Sequence, residues 1–262
     1  MNDSPSIRRV LVLLSASPEN PAAIRTAVGL AEELKTELTA LFVEDPNLER
    51  LPRLPFLRAV DPFSGAVREL SGEGLRRGVH AYASRARAAL SETARSRVPW
   101  AFRTVRALAG ISGGDLLILG APSQLASPGV REALARGDAP VLVLCEHGRS
   151  GGPVLVLYEQ RPSSGVMEMV AGLARLRRSP LVFLAPPGAP GVPPELAERL
   201  GARVRRLHAV ELPAILSALR EEGGSLLVLA ARGESAAGLP LQALLEESRC
   251  PVLLVRVPDV KA

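Results

Sequence analysis

Residues 116–144, LLILGAPSQLASPGVREALARGDAPVLVL, contain an apolar run, a loop of small residues, a short helical stretch and a second apolar run. Short runs rich in Val and Leu between glycine and proline are typical of buried strands. A loop that leads from a strand into a helix can hold a phosphate with its backbone N–H groups. The stretch therefore predicts strands of an α/β protein, and it raises the question whether this loop binds an anion.

Three segments of the first half of the chain return in the second half. RRVLVLL at 8–14 returns as GPVLVLY at 152–158, GGDLLILG at 113–120 as GGSLLVLA at 223–230, and APVLVL at 139–144 as CPVLLV at 250–255. Such self-similarity indicates two related units. The segment EHGRSGGP between them has the composition of a linker. We therefore expect one domain over residues 1–147, with a long insertion at about 44–97, and a shorter one over residues 152–262.

Apolar runs alternate with helical periodicity in both units. Asn20 as N-cap and Pro21 at the first helical position predict an amphipathic helix after the first strand. The first unit then has a long helical pattern around residues 75–93, whereas the second has only PPELAERL at the matching place and adds LPAILSALREE before its fourth strand. This alternation is typical of parallel strands covered by helices.

The doubled pattern resembles the universal stress protein family, in particular its tandem members. The segments that carry the resemblance are VLVLLSAS, LTALFVED, GGDLLILGAPS and SRCPVLLVRV, and the resemblance covers nearly the whole chain. It implies two tandem doubly wound domains, each a five-stranded parallel sheet of the adenine nucleotide alpha hydrolase type. It also implies an intramolecular pseudo-dimer packed through the last strands and, in some members, ATP bound beyond the strand ends.

The residues that hold ATP in such proteins are altered here. ATP-binding members carry an Asp after the first strand and G-x2-G-x9-G-S/T after the fourth. The Asp position is Ser15 in the first unit and Glu159 in the second; Ser123 stands in place of the second glycine, and Ala230 in place of the first glycine of the second unit. Both loops are also too short. The candidate cofactor-binding residues are Ser15, Ser17, Val43, Gly120, Ser123, Ser127 and Gly129 in the first unit, and Gly233 and Gly238 in the second.

A phosphate cradle needs glycine conformations and enough loop to curl around the anion. We therefore expect no certain cofactor, with weak or lost ATP binding. A smaller anion such as AMP, phosphate or sulfate could still bind the N–H groups of residues 127–130 at the helix end.

The segment over residues 44–66 is rich in leucine and proline. Its four prolines exclude one long helix. Its apolar residues are Leu48, Leu51, Leu54, Phe56, Leu57, Val60 and Phe63. The segment is a lid over the strand ends, a docking patch for another subunit, or a simple cover for the sheet, and the sequence leaves these three open.

Composition excludes several classes of function. The net charge is +5, but aromatic residues make up only 3%, which leaves few platforms for stacking bases, so we expect no nucleic-acid partner. No apolar run is long enough for a membrane span, and the run at 10–14 is short for a secretory signal. These features predict a cytoplasmic protein that does not associate with a membrane.

Catalytic and metal-binding patterns are also missing from the sequence. Cys145 and Cys250 lie far apart in the chain with no C-x-x-C, and we expect buried structural thiols. His80, His147 and His208 have no metal-ligand spacing and are expected at the surface. No nucleophile and base can be paired, so no catalytic residue and no metal site is predicted.

Three hypotheses of function follow. The first is a non-enzymatic stress-type protein that acts by protein interaction, with weak or lost ATP binding. The second is a sensor of ATP or AMP that uses the first unit, and the third is a slow ATP hydrolase. Pairing of the chain with itself as a homodimer is left open.

Overall fold

The computed structural model describes residues 7–16, 20–44, 51, 56, 58–60, 65, 67–69, 71–106, 108, 110–112, 114–127, 130–132, 139–145, 151–159, 164–232, 235–236 and 239–256. The strands are β1 (Arg9–Leu14), β2 (Glu37–Val43), β3 (Arg58–Val60), β4 (Val67–Glu69), β5 (Trp100–Val105), β6 (Asp115–Leu119), β7 (Val141–Val143), β8 (Val154–Leu157), β9 (Leu181–Ala185), β10 (Arg203–Arg206), β11 (Leu226–Arg232), β12 (Ser235–Ala236), β13 (Leu239–Pro240) and β14 (Val252–Arg256). The helices are α1 (Asn20–Glu33), α2 (Gly72–Ala94), α3 (Ser164–Leu176), α4 (Pro194–Leu200), α5 (Leu212–Glu222) and α6 (Leu241–Glu247), with a 3-10 helix over Pro122–Ala126.

One continuous sheet runs through both halves of the chain, in the order β10-β9-β8-β11-β14-β7-β6-β1-β2-β5. When the strands of this sheet are counted along the chain within each half, leaving out the separate β3–β4 pair, both halves have the order third, second, first, fourth, fifth. All neighbours on this path are parallel except β7 and β14, which pair antiparallel where the halves meet. The predicted α/β class with mainly parallel strands is confirmed. The boundaries at residues 147 and 152 remain a prediction.

Helices cover both faces of the sheet. Buried residues of α1, α2 and α3 pack on one face, which we call the first face, together with Val10, Val12 and Leu14 of β1. Buried residues of α5 and α6 pack on the other, the second face, with Leu11 and Leu13. Because β1 and β6 have neighbouring strands on both edges and side chains in the cores of both faces, nearly all their residues are buried.

The helix predictions are largely confirmed. The short α4 and the helix α5 lie where PPELAERL and LPAILSALREE predict them, and the described residues between β5 and β6 contain no helix. The prediction for Asn20 needs a correction, because the helix begins at this residue and its side chain bonds backward to Ser15. Asn20 therefore closes the preceding loop.

The long insertion at about 44–97 contains an antiparallel pair of strands, β3 and β4, which forms a separate two-stranded sheet. Phe56, Val60 and Val67 are 74%, 62% and 63% exposed. For Phe56 and Val60, the interpretation as a cover for the sheet is therefore wrong. Leu48, Leu54, Leu57 and Phe63 lie outside the described residues.

None of the helices in the described ranges combines the length and the apolar character that a membrane crossing requires.

Candidate functional site

The carboxyl ends of β1 and β6 lie side by side, because these are adjacent parallel strands with Leu13 opposite Leu119, and we call the space beyond these two strand ends the crevice. From β1 the chain proceeds outward to β2 and β5, and then returns to the other side of β1 as β6. This reversal makes the β1–β6 pair the topological switch point of the first half, where open α/β sheets bind ligands. Ser15 follows β1 and Gly120 follows β6, so the structure brings these two candidate residues to the crevice.

The side chain of Gln124 bridges this crevice. Its Oε1 accepts a hydrogen bond of 2.7 Å from the backbone N–H of Gly120. Its Nε2 donates to the carbonyl oxygen of Leu13 at 3.3 Å and to the hydroxyl oxygen of Ser15 at 3.4 Å. The Gly120 N–H is the donor that an anion at this loop would need, and here it is bonded to a side chain of the same loop.

Ser15 is held by the loop that follows β1. Its N–H donates to Oδ1 of Asn20 at 3.3 Å, and its carbonyl oxygen accepts from Nδ2 of Asn20 at 2.6 Å. The hydroxyl, the N–H and the carbonyl of Ser15 all have partners within the chain. Ser17 lies outside the described residues.

The 3-10 helix over Pro122–Ala126 carries Gln124 and is itself anchored. Leu125 packs against the second-face core, to which Leu241, Leu244 and Leu245 of α6 also belong. Ser123 faces solvent. The loop of the first half is therefore supported by a helix of the second half, and this support holds Gln124 over the crevice.

The N–H groups proposed to bind a small anion at residues 127–130 are mostly engaged or missing. Ser127 N–H donates to the carbonyl of Gln124 at 3.2 Å, and Val130 N–H donates to the Ser127 hydroxyl at 3.4 Å. Pro128 has no N–H. Gly129 lies outside the described residues. Ser127 acts here as a cap for the helical turn at 130–132.

In the second half, a strand extends through the position where a loop would begin. β6 ends before Gly120, but β11 continues through Ala230 to Arg232, and β12 folds back on it, with Ala231 opposite Ala236. Ala230 and Ala231 also pair with Val255 and Arg256 of β14. The backbone that could cradle an anion is therefore part of a sheet. Gly233 and Gly238 lie outside the described residues.

Val43, the last residue of β2, lies at the same edge of the sheet and packs against the second-face core. Ser15, Val43 and Gly120 are thus brought to the carboxyl edge of three neighbouring strands. The residue that sequence reasoning missed is Gln124. Its only signal was the position of a long amide four residues after Gly120, in the first turn after the loop.

The amino edge of the first half holds an ion pair. Arg9 donates to both carboxylate oxygens of Asp115 at 2.9 Å, and Asp115 also accepts from the N–H of Ser112 at 2.8 Å. Asp115 is buried, and its hydrogen bonds with Arg9 raise the guanidinium pKa above its usual value. This pair lies at the end of β1 opposite to the crevice, so it stabilises the sheet and does not line the site.

No group of three or more metal-ligand side chains occurs in the ranges that the structure describes. Cys250 is buried, as predicted, but Cys145 is partly exposed, which corrects the prediction for that residue. Burial raises the pKa of the Cys250 thiol to about 12, and the neighbouring Cys145 adds to the effect.

No known family profile matches the chain, and no curated protein sequence matches it. Several solved structures match the chain by the path of the backbone. A universal stress protein from Archaeoglobus fulgidus DSM 4304 is 12% identical with a TM-score of 0.59, and the match covers 95% of this chain and 97% of that one. A candidate universal stress protein from Pseudomonas aeruginosa UCBPP-PA14 is 14% identical, with a TM-score of 0.55 and coverage of 97% and 95%.

A third similar structure is a protein of unknown function from Pseudomonas aeruginosa PAO1. It is 13% identical with a TM-score of 0.57, and the match covers 99% of this chain and 96% of that chain. At such identities the similarity concerns the path of the backbone alone. Together with the strand order and the helices on both faces of the sheet, it shows that the chain has the fold of the universal stress proteins.

Proposed function

We propose that this chain is a cytoplasmic tandem member of the universal stress protein family that does not depend on bound ATP and acts by protein interaction. Its two units would form an intramolecular pseudo-dimer joined at β7 and β14. The observation that carries the proposal is the hydrogen bonding of Gln124 across the crevice between β1 and β6.

The carboxamide of Gln124 competes with any external anion. It satisfies the Gly120 N–H with a neutral oxygen and places an N–H donor between two oxygens of β1 and its loop. A ligand must first break these bonds, each of which contributes about 0.5 to 1.5 kcal/mol net. The side chain belongs to the loop it bonds, so this competition involves no loss of translational freedom, whereas binding of a ligand does.

The described residues of the second half offer no matching pair of donors. Ala230 and Ala231 are successive residues of the extended strand β11, so their N–H groups point to opposite edges of the strand and cannot converge on one phosphate without breaking the sheet. In the first half the Gly120 N–H is bonded to Gln124, and in the second the N–H groups of Ala230 and Ala231 diverge, so neither described loop start presents converging free donors to an anion.

Exposed apolar side chains support the role in protein interaction. Phe56, Val60 and Val67 lie on or beside the β3–β4 pair, and large apolar residues at this exposure are typical of contact surfaces.

A nucleotide sensor is the second candidate, because Ser15, Val43 and Gly120 do meet at one edge of the sheet. In that case, ATP or AMP would displace Gln124. Isothermal titration calorimetry of the full chain with ATP and with AMP distinguishes the two candidates. We expect no heat, corresponding to dissociation constants weaker than about 1 mM.

A variant sharpens this test. Gln124→Ala releases the Gly120 N–H, and we expect it to bind phosphate or AMP at least about tenfold more tightly than the wild type. Gln242→Ala is the matched control, because Gln242 is exposed and bonds to Glu246 on the surface of α6, far along the chain from Gly120. Binding of ATP by the wild type at micromolar concentration would overturn the proposal, as would magnesium-dependent ATP turnover. Circular dichroism of both variants verifies that they fold.

A further inference from the structure

The two cysteines meet at the junction between the halves. In the antiparallel ladder Val143 pairs with Val252, Leu142 with Leu253, and Val141 with Leu254. Two further steps along both strands place Cys145 opposite Cys250. Sheet hydrogen bonds continue on the outer sides over the intervening residues, because Leu144 N–H donates to Leu119 and Pro251 accepts from Leu227. Contact with the sheet therefore continues to Leu144, the residue before Cys145, and to Pro251, the residue after Cys250, which itself lies in the bend that leads into β14.

The thiols also lie on the same face of the sheet. Val141, Val143, Val252, Leu254 and Cys250 belong to the second-face core, whereas Leu142 and Leu253 belong to the first. Since side chains alternate along a strand, Cys145 shares the face of Val143 and hence that of Cys250. Directly opposite residues on one face are close neighbours.

The spacing suits a covalent bond. Leu144 directs its N–H toward β6, so the backbone groups of Cys145 point toward β14. Continuation of the ladder register by two residues would make this a pair of the hydrogen-bonded type, in which Cα atoms lie about 5.5 Å apart. Disulfides span Cα separations of about 4.4 to 6.8 Å. In the structure both residues carry thiols.

We propose that Cys145 and Cys250 form a reversible intramolecular disulfide across the β7–β14 junction when the protein meets a hydroperoxide. Cys145 is partly exposed and reacts first: its sulfur takes one oxygen of the peroxide and becomes a sulfenic acid, while the other oxygen leaves as water or alcohol. The sulfur of Cys250 then attacks the sulfur of Cys145. The S–S bond forms, the S–OH bond breaks, and the hydroxyl leaves as water with the proton of Cys250.

In sum, two thiols lose two electrons, which reduce one peroxide. Burial and a pKa of about 12 make Cys250 the weaker nucleophile, so it acts as the resolving residue. A dithiol reductant reverses the bond by exchange. The product ties the segment just after β7 of the first half to the segment just before β14 of the second, independently of anything that the Gln124 crevice binds.

The test treats the reduced full chain with hydrogen peroxide and quenches it with a thiol-alkylating reagent under denaturing conditions. We expect a monomer with no alkylated cysteine, a mass lower by two hydrogen atoms, and one cross-linked peptide that contains Cys145 and Cys250. Because the bond closes a long loop, the oxidised protein should melt roughly 5 to 10 °C higher than the reduced one.

Single variants separate the two steps. Cys250→Ser should accumulate a sulfenic acid at Cys145 that reacts with dimedone, whereas Cys145→Ser should leave the buried Cys250 as a thiol at the same peroxide dose. A disulfide that joins two chains, detected as a dimer on a non-reducing gel, would overturn the proposal. So would wild-type protein in which Cys145 reaches sulfinic acid while Cys250 stays reduced.

Discussion

At the amino ends of the strands, the two halves connect the first strand to the fourth by different interactions. In the first half, Arg9 of β1 pairs with the buried Asp115 of β6. In the second half the residue that matches Asp115 is Ser225, whose hydroxyl donates to the carbonyl of Gly152 at 2.9 Å. The backbone of Gly152 also lies so close to Gly223 that no side chain fits between them.

The comparison shows that an ion pair in the first half takes the place of a close backbone contact in the second. Where Gly152 lies just before β8, the backbone approaches the loop before the fourth strand closely, and the short hydroxyl of Ser225 suffices. Where β1 begins with Arg9, the long guanidinium of this residue reaches Asp115 and the carbonyl of Gly110. A close backbone contact and an ion pair therefore both hold the start of the first strand against the fourth. We expect the two to respond differently to mutation.

The largest effect is expected from Gly152→Ala. Gly152 has φ +128°, which side-chain-bearing residues rarely adopt, and an added Cβ would overlap the carbonyl oxygen of Gly223. Strain and overlap together should lower the free energy of unfolding by about 3 kcal/mol or more, measured by urea denaturation. Gly151→Ala is the control, since its φ is +90° but nothing lies near its Cβ. Equal losses in both variants would contradict the role of close contact.

The next effect concerns the ion pair of the first half. Asp115→Ala leaves the guanidinium of Arg9 and the N–H of Ser112 without their acceptor, and should cost about 2 to 3 kcal/mol of unfolding free energy. Asp115→Asn keeps an acceptor for Ser112 but removes the charge, so it should lose less. If the two variants were equally stable, the charge on Asp115 would contribute nothing.

A smaller loss is expected from Ser225→Ala in the second half. The variant removes one buried hydrogen bond to Gly152 and should cost about 1 kcal/mol, also measured in urea. Ser91→Ala on the exposed face of α2 serves as the control and should change stability by less than about 0.5 kcal/mol. A loss as large as that of Asp115→Ala would remove the contrast between the two edges.

The smallest effect concerns surface ion pairs and their dependence on pH. Arg97 bonds to Glu32 in the first half, whereas Arg205 bonds to both Glu221 and Glu222 in the second. These hydrogen bonds with arginine hold the pKa of each glutamate below its usual value. A lowered folded-state pKa gives stability that is present above the unfolded-state pKa and is lost as pH falls through the folded-state value.

Thermal melts between about pH 6 and about pH 3 test this dependence. Arg205→Gln should flatten the fall of melting temperature with acid more than Arg97→Gln, because it removes hydrogen bonds from two glutamates instead of one, although Glu222 keeps its bond to Arg203. The difference should shrink in about 0.5 M salt, which screens exposed charges. Equal slopes for the two variants would show that the cluster around Arg205 acts no more strongly than a single pair.

The sequence alone was sufficient to predict the α/β class, because apolar runs such as those of β1 and β6 are continuous only when a strand is buried on both faces. The helices α4 and α5 were found from their periodicity. Gln124 was missed because a single amide in a loop has no period, and its hydrogen bonds connect residues more than a hundred positions apart. The β12–β13 hairpin was missed because Gly233 and Gly238 were interpreted as parts of an anion loop.

The approach of Cys145 to Cys250 could not be predicted for a related reason. Each cysteine lies at the end of an apolar run in its own half, and only the antiparallel pairing of β7 with β14 brings them together. Sequence identifies strands by local pattern, whereas partner and register between distant strands depend on the assembled sheet.

The outermost strands determine where lateral growth of the sheet stops. A long sheet with open edges invites further strands from other molecules, the first step toward fibres. On β10, Arg203 and Arg205 occupy alternate positions and are held by Glu221 and Glu222, so an incoming strand would have to dehydrate fixed charges. At the far end, β5 carries Arg103 and ends before Arg106. The arginines on these two edge strands therefore disfavour the addition of a strand from another molecule.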